Sequence, residues 1–296
     1  MNIFGLVSGG LLLAFAAVGG NDATAAETIS LQYGGRDRSY MVHVPKSYDG
    51  SKAVPLLVAL HGTNMAARHM IDHTDLVRKS EEIGFVLVAP NAVGNAFNDG
   101  LDRTPERNAV PDVGFIETVA DESKKRYKID GSKVYIAGFS NGGSMVQRIA
   151  VESQYEFAGL VSVVGHLRVK ADRVQRPRPL LLIFGTADPL NPVAGGQVHH
   201  PIPDVKPAHS TTATAWAQRL SCEAQPVSSS AIKKVTAQMW QKCAPGGRLV
   251  WYEVDGLAHQ WSGGSPMPFP AFVVGEYTDS PSLGDLVWQF LISAPQ

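Results

Sequence analysis

Apolar residues along this chain fall into short, nearly unbroken runs separated by amphipathic stretches. Strand-like runs occur at 28–33 and 39–44, bracketing Gly34-Gly35 as a hairpin turn. Others follow at 54–60, 85–89, 133–138, 158–164, 179–184 and 249–254. Several lack in–out alternation, so they read as strands covered on both faces. Between them, 112–127 places Ile116, Val119 and Ala120 on one helical face, with Asp112 as its N-cap. From Ser282 onward, Leu283, Leu286, Val287, Phe290 and Leu291 recur at helical spacing, the mark of a docked amphipathic helix. An antiparallel start followed by strand–helix alternation predicts an α/β protein with a mixed, mostly parallel sheet and helices on both faces. The stretches 195–209 and 263–270 are proline-rich and aperiodic, and read as loops. No repeat or linker marks a second domain.

Residues 3–18 form an apolar segment of another kind, followed by Ala23-Thr24-Ala25-Ala26 before Glu27. That order matches the apolar core and small-residue cleavage site of a signal peptide, although no Lys or Arg precedes Arg36. On this reading 1–26 is a leader and 27–296 a single secreted domain. The segment is short for a spanning helix and no other run reaches about 18 residues, so no membrane association is expected after cleavage. With 26 basic and 27 acidic side chains the net charge is −1, which removes the electrostatic grounds for a nucleic-acid partner. Cys222 and Cys243 are the two cysteines, and in an oxidising compartment they are expected to pair. Neither they nor the nine histidines show metal-ligand spacing, so no metal is expected.

Candidate chemistry centres on Gly138-Phe139-Ser140-Asn141-Gly142, preceded by a strand-like run and followed by a helical one. A serine at such a corner is lifted off the backbone, where a histidine can reach it and a helix N-terminus can stabilise negative charge. Serine is a weak nucleophile until a base takes its proton, and the base needs an acid to fix its tautomer. Asp188 follows the 179–184 strand in Gly185-Thr186-Ala187-Asp188-Pro189, a position that an ordinary turn-forming aspartate would also suit. Asp204 and Asp255 are the reserve acids. His259, on the loop after the 249–254 strand, is the last histidine and the candidate base. An oxyanion needs two preorganised N–H donors, supplied by Asn141 and by Thr63 or Asn64 in the loop after Leu60-His61-Gly62. Neither a dinucleotide fingerprint nor a Walker-type lysine occurs, and the chemistry needs no cofactor.

These segments, taken in order, resemble a known group. They are Arg38 to Pro45, Leu60-His61-Gly62, Gly84 to Pro90, Asp112 to Ile116, Val134 to Gly143, Phe157-Ala158, Asp188 with Pro192, Gly195-Gly196, and His259 to Gly264. The group is the polyhydroxybutyrate depolymerase-like secreted esterases, with feruloyl and acetylxylan esterases, of the α/β-hydrolase fold. The resemblance implies Ser140 as nucleophile, Asp188 as acid, His259 as base, the Thr63 region in the oxyanion site and Trp261 on the wall of the substrate cleft. Three departures are expected around that cleft: Thr63-Asn64 where many relatives have cysteine or glycines, Phe97-Asn98 in place of a tryptophan, and Ser262 in place of a proline. The implied activity is a secreted serine esterase acting first on polyhydroxybutyrate-type oligomers, with feruloyl or acetylxylan esters close behind. No appended polymer-binding domain is visible, which favours soluble oligomers. An acyltransferase and a non-catalytic binding module on the same fold are the readings from other classes.

Overall fold

Gly34 and Gly35 both take positive φ, 59° and 72°, the two-residue turn that matches strand twist. They join β1 (Glu27–Tyr33) to β2 (Arg36–His43) with Tyr33 opposite Arg36, the hairpin expected. The computed structural model describes residues 26–101, 104–171, 173–199 and 203–293; the expected leader lies outside them except for its last residue. The chain continues through β3 (Val54–Leu60), α1 (Ala67–Asp72), α2 (Leu76–Ile83), β4 (Val86–Pro90), α3 (Pro105–Asn108), α4 (Asp112–Arg126), β5 (Ile129–Phe139) and α5 (Asn141–Glu152). It then forms β6 (Gly159–Val163), β7 (Pro179–Gly185), β8 (Gly196–Val198), β9 (Asp204–Lys206), α6 (His209–Arg219), β10 (Val227–Ser229), β11 (Val235–Trp240), β12 (Arg248–Val254), α7 (Ala271–Val274) and α8 (Leu283–Ile292).

Among the described residues, ten strands make one sheet in the order β1-β2-β4-β3-β5-β6-β7-β12-β11-β10. The inner six, β4 to β12, run parallel, and the two strands at each edge are antiparallel. Side chains alternate across the sheet, so each inner strand feeds two cores. Leu56, Val58 and Leu60 pack with Phe115 of α4, Ile149 of α5 and Trp216 of α6. Leu57 and Ala59 face the other way, toward Met70 of α1, Leu76 of α2 and Phe290 of α8. Parallel strands point their C-terminal ends to one rim, where ligands of open α/β sheets bind. The loops after β3, β5, β7 and β12 therefore share that rim.

Three local expectations change. Asp112 is not the N-cap of α4: Pro111 holds that place, and Asp112 is the first helical residue. Its carboxylate accepts the Asn98 amide at 2.8 Å and pairs with Arg38 at 2.6 Å, a tertiary contact that outcompetes local capping. The 195–209 stretch is not wholly irregular, because β8 and β9 pair within it as a small antiparallel ribbon. The sheet also gains β10 and β11 beyond the strands read from the sequence. Cys222 and Cys243 are joined as expected, tying the end of α6 to the end of β11.

Candidate active site

β5 ends at Phe139 and α5 begins at Asn141, so Ser140 makes the corner alone. Its φ of 55° and ψ of −116° lie where residues other than glycine rarely go, a strain on the order of 1–3 kcal/mol. Backbone bonds hold it there: its amide donates to the Val163 carbonyl at 2.8 Å and its carbonyl accepts from Ser144 at 2.9 Å. The flanking glycines are steric requirements. A Cβ on Gly138 would sit 2.2 Å from the Gly142 carbonyl oxygen, and one on Gly142 would sit 2.3 Å from that of Leu60.

Ser140 Oγ lies 2.9 Å from His259 Nε2, and His259 Nδ1 lies 2.8 Å from Asp188 Oδ2. The Asp188 carboxylate is almost wholly buried and fully bonded. Its Oδ1 accepts the amides of Leu190 and Asn191 at 2.8 and 3.0 Å, and its Oδ2 accepts the Asn191 side-chain amide at 3.0 Å. Burial raises the Asp188 carboxyl, but the charge of His259 and hydrogen bonds from His259, Asn191 and Leu190 outweigh it and hold the pKa below the ordinary value. An ionised acid keeps the proton on Nδ1 of His259, which leaves the Nε2 lone pair facing the serine hydroxyl. The histidine backbone is fixed as well, its amide donating to the Val274 carbonyl at 2.8 Å and its ring lying 5.2 Å from that of Phe139.

The two residues expected to supply oxyanion donors, Thr63 and Asn141, line the same cleft as the serine. The Asn141 amide opens α5, where the first N–H groups have no helical acceptor. In the loop after β3 the Asn64 amide is taken by the Asn95 carbonyl at 2.8 Å, which narrows the two candidates to Thr63. That loop runs close to the nucleophile: a Cβ on Gly62 would be 3.2 Å from Ser140 Cβ. The Asn141 side chain grips the loop beyond β4 behind the site, accepting from the Phe97 amide at 2.7 Å and donating to its carbonyl at 3.1 Å. His61 is an internal staple. Ala92 donates to its Nε2 at 3.1 Å, its Nδ1 faces the Gly62 carbonyl at 2.8 Å, and burial lowers its pKa to about 4, so the ring is neutral.

Ser140 and His259 open into a cleft of about 380 Å³, within the size range of small-molecule sites. Leu190, Val198, Phe269 and Val273 give it an apolar side, while Arg168, Asp204 and Lys206 form a charged one. A second depression of about 270 Å³ shares Leu190, Val198 and Val273 with the first and extends to Phe272, which is 88% exposed. Among the described residues no group of His, Cys, Asp and Glu could hold a metal ion, and no helix is long and apolar enough to cross a membrane.

NocK of Nocardia uniformis subsp. tsuyamanensis, named as an esterase, is 30% identical to this chain over 278 residues, 87% of this chain and 80% of that protein. This chain belongs to the α/β-hydrolase esterases. Within the family, the poly(3-hydroxybutyrate) depolymerase of Ralstonia pickettii is 30% identical over 128 residues, 39% of this chain and 26% of that longer protein. The acetyl xylan esterase from Aspergillus awamori superposes with a TM-score of 0.62 at 14% identity, covering 90% of this chain and 98% of that one, and shares its fold. The model of the Prolyl oligopeptidase family matches residues 80–179, the part of the hydrolase core that carries Ser140.

One expected site residue of this esterase is misplaced. Trp261 does not line the cleft: its side chain is fully buried, packs edge-on behind Phe139 at 6.4 Å, and donates from Nε1 to Asp75 Oδ1 at 2.8 Å. A buried indole needs an acceptor, and Asp75 draws it inward. Two of the three expected departures also prove internal. Phe97 and Ser262 are fully buried and absent from the cleft wall, whereas Thr63 and Asn64 do line it. Neither reserve acid bonds the histidine: Asp204 pairs with Arg168 and Lys206, and Asp255 accepts from Thr186. Sequence reasoning missed Asn191 and His166, which stand behind Asp188. The spacing Asp188-Pro189-Leu190-Asn191 carries part of that signal, because an aspartate commonly accepts backbone amides two and three residues on.

Proposed function

We propose that this esterase cleaves carboxylic esters through an acyl-enzyme on Ser140, with short hydroxyacyl oligomers of the polyhydroxybutyrate type as its substrates. The unbroken line from Ser140 Oγ through His259 to Asp188 carries the mechanism. His259 Nε2 takes the hydroxyl proton as Oγ bonds to the ester carbonyl carbon, and the amides of Asn141 and Thr63 receive the oxyanion. Collapse breaks the bond to the leaving oxygen, which takes the proton from His259. Water then repeats the sequence on the acyl-enzyme and frees the acid.

The choice of substrate rests on the two adjacent depressions, whose walls share Leu190, Val198 and Val273. A chain of repeated short ester units can lie along both, while an acetyl group would fill a fraction of the first. The Ralstonia relative named for poly(3-hydroxybutyrate) supports the same choice. The acetyl xylan esterase fold neighbour keeps acetyl or feruloyl esters of polysaccharide as the second reading. Export is part of the proposal, supported by the leader-like residues 1–26 and the Cys222–Cys243 bond.

The test is a panel of hydroxybutyrate dimers and trimers, methyl ferulate, acetylated xylan and nitrophenyl esters, with Ser140→Ala as blank. The oligomers should give the highest kcat/KM, and Ser140→Ala or His259→Ala should cut turnover roughly 10⁴- to 10⁶-fold without unfolding the protein. Faster cleavage of methyl ferulate or acetylated xylan would reverse the order of substrates. Full activity of Ser140→Ala would end the mechanism.

A further inference from the structure

Asn191 is 2% exposed, and its carboxamide can point only one way. Nδ2 lies 3.0 Å from Asp188 Oδ2 and 3.1 Å from the Val164 carbonyl, and both of those atoms only accept. Oδ1 is therefore the atom 2.9 Å from His166 Nε2, so that nitrogen must carry the proton. The other ring nitrogen, Nδ1, lies 3.2 Å from Thr212 Oγ1 and accepts from its hydroxyl. Burial, reinforced by Lys206, Arg168 and His209, pushes His166 down to about 3, so the ring remains neutral in this one tautomer. Phe184 stacks on the ring at 5.1 Å. The Asn191 carbonyl is held from behind by His209 Nε2 at 2.8 Å, whose Nδ1 is 3.4 Å from Glu253. The charged groups around the pair are Lys206 and Arg168 with their partner Asp204, Glu253 behind, and the Asp188–His259 pair in front.

Two donor lines thus end on one carboxylate oxygen. Ser140 and His259 approach Asp188 Oδ2 from the cleft; Thr212, His166 and Asn191 approach it from the protein interior. We propose that Asn191, oriented by His166, is a positioning residue for the acid: it fixes the plane of the Asp188 carboxylate and limits its basicity, and so sets the alignment of His259. The inference rests on the triad roles proposed above. Removing the Asn191 side-chain donor leaves Oδ2 held by His259, with only the backbone amides on Oδ1 to steady the plane, and lets it hold the His259 proton more tightly.

The experiment compares Asn191→Ala, His166→Phe, His166→Gln and Thr212→Val on one nitrophenyl ester. Asn191→Ala should lower kcat roughly 10- to 100-fold, the effect of losing one hydrogen bond to a charged group, with KM changed less than about twofold. Its acidic limb of kcat/KM should move to higher pH. His166→Phe keeps the ring stack but loses the N–H and should match it, while His166→Gln restores a donor and should recover most of the rate. When Asn191→Ala is combined with His166→Phe the losses should not add, because both act through one contact. Equal kcat, KM and pH profile in wild type, Asn191→Ala and His166→Phe, with only thermal stability lowered, would overturn the proposal. If those two do not fold, Thr212→Val decides: kcat should fall about two- to fivefold at constant KM, and an unchanged kcat would overturn it. A failure of the triad reading itself looks different, since Ser140→Ala would then retain activity.

Discussion

Neighbours, more than position along the chain, decide what a side chain does here, and Trp261 makes the case. Two residues from the base, it reads from the sequence as a wall of the cleft, yet Asp75 captures its N–H. Asp75 also accepts the Gly284 amide at 3.1 Å and Arg78 at 3.0 Å, so the indole belongs to the junction that seats α8. Trp261→Phe should keep the packing on Phe139 but leave a buried carboxylate short of one donor, costing about 1–3 kcal/mol. Urea unfolding should show a lower midpoint with an unchanged slope, and KM for a small ester should stay where it is; a several-fold rise in KM would return the ring to the cleft. That Ser140, Asp188 and His259 would meet was legible because each lies in the turn or loop after a separate inner strand, and parallel strands deliver their ends to one rim. The engagement of the Asn64 amide was not, since it depends on a carbonyl at Asn95 that no local pattern announces.

Among the elements, the inner strands declared themselves through unbroken apolar runs, whereas the outer ones did not. β10 is three largely exposed residues and β11 is only half buried, so neither carries the two-sided burial that marks the centre. α4 shows a related limit. Its apolar face was plain, but its start is set by Arg38, which sits 3.6 Å over the Phe115 ring and clasps Asp112 in a pair that is 99% shielded from solvent. That pair also gathers the loop beyond β4, through the Asn91 carbonyl and the Asn98 amide, and Phe97 in that loop is what Asn141 grips. Asp112→Ala would leave the guanidinium buried without its partner and should cost roughly 3–5 kcal/mol, read from denaturant unfolding. A loss below about 1 kcal/mol would mean that the loop is held by other contacts. Cys222–Cys243 makes a second brace, between α6 and β11. Closing a loop of 21 residues contributes about 3 kcal/mol in the chain-entropy model, so reduction should lower Tm by roughly 5–10 °C.

For the whole molecule, the neutral histidines sealed beside the site make stability a function of pH. His61 has its pKa lowered by burial to about 4, and His166, by burial and nearby cations, to about 3. In the unfolded chain both return to about 6.5. As pH falls below that value the unfolded state binds protons that the folded state refuses, so stability is present in full above it and is lost on acidification. Asp188, with its pKa below the ordinary value, adds a loss of the same sign at still lower pH, where its carboxylate finally takes a proton. Between about pH 7 and pH 5 the two histidines should together remove on the order of 2–4 kcal/mol. His166→Gln deletes one titration while keeping the N–H toward Asn191, so its stability should fall less steeply over that range, with His61 and His43, both lowered by burial, keeping the rest of the loss. Urea midpoints of wild type and His166→Gln at several pH values decide the matter. Parallel slopes would show that His166 takes a proton inside the fold, and with it would go the single tautomer on which the orientation of Asn191 depends.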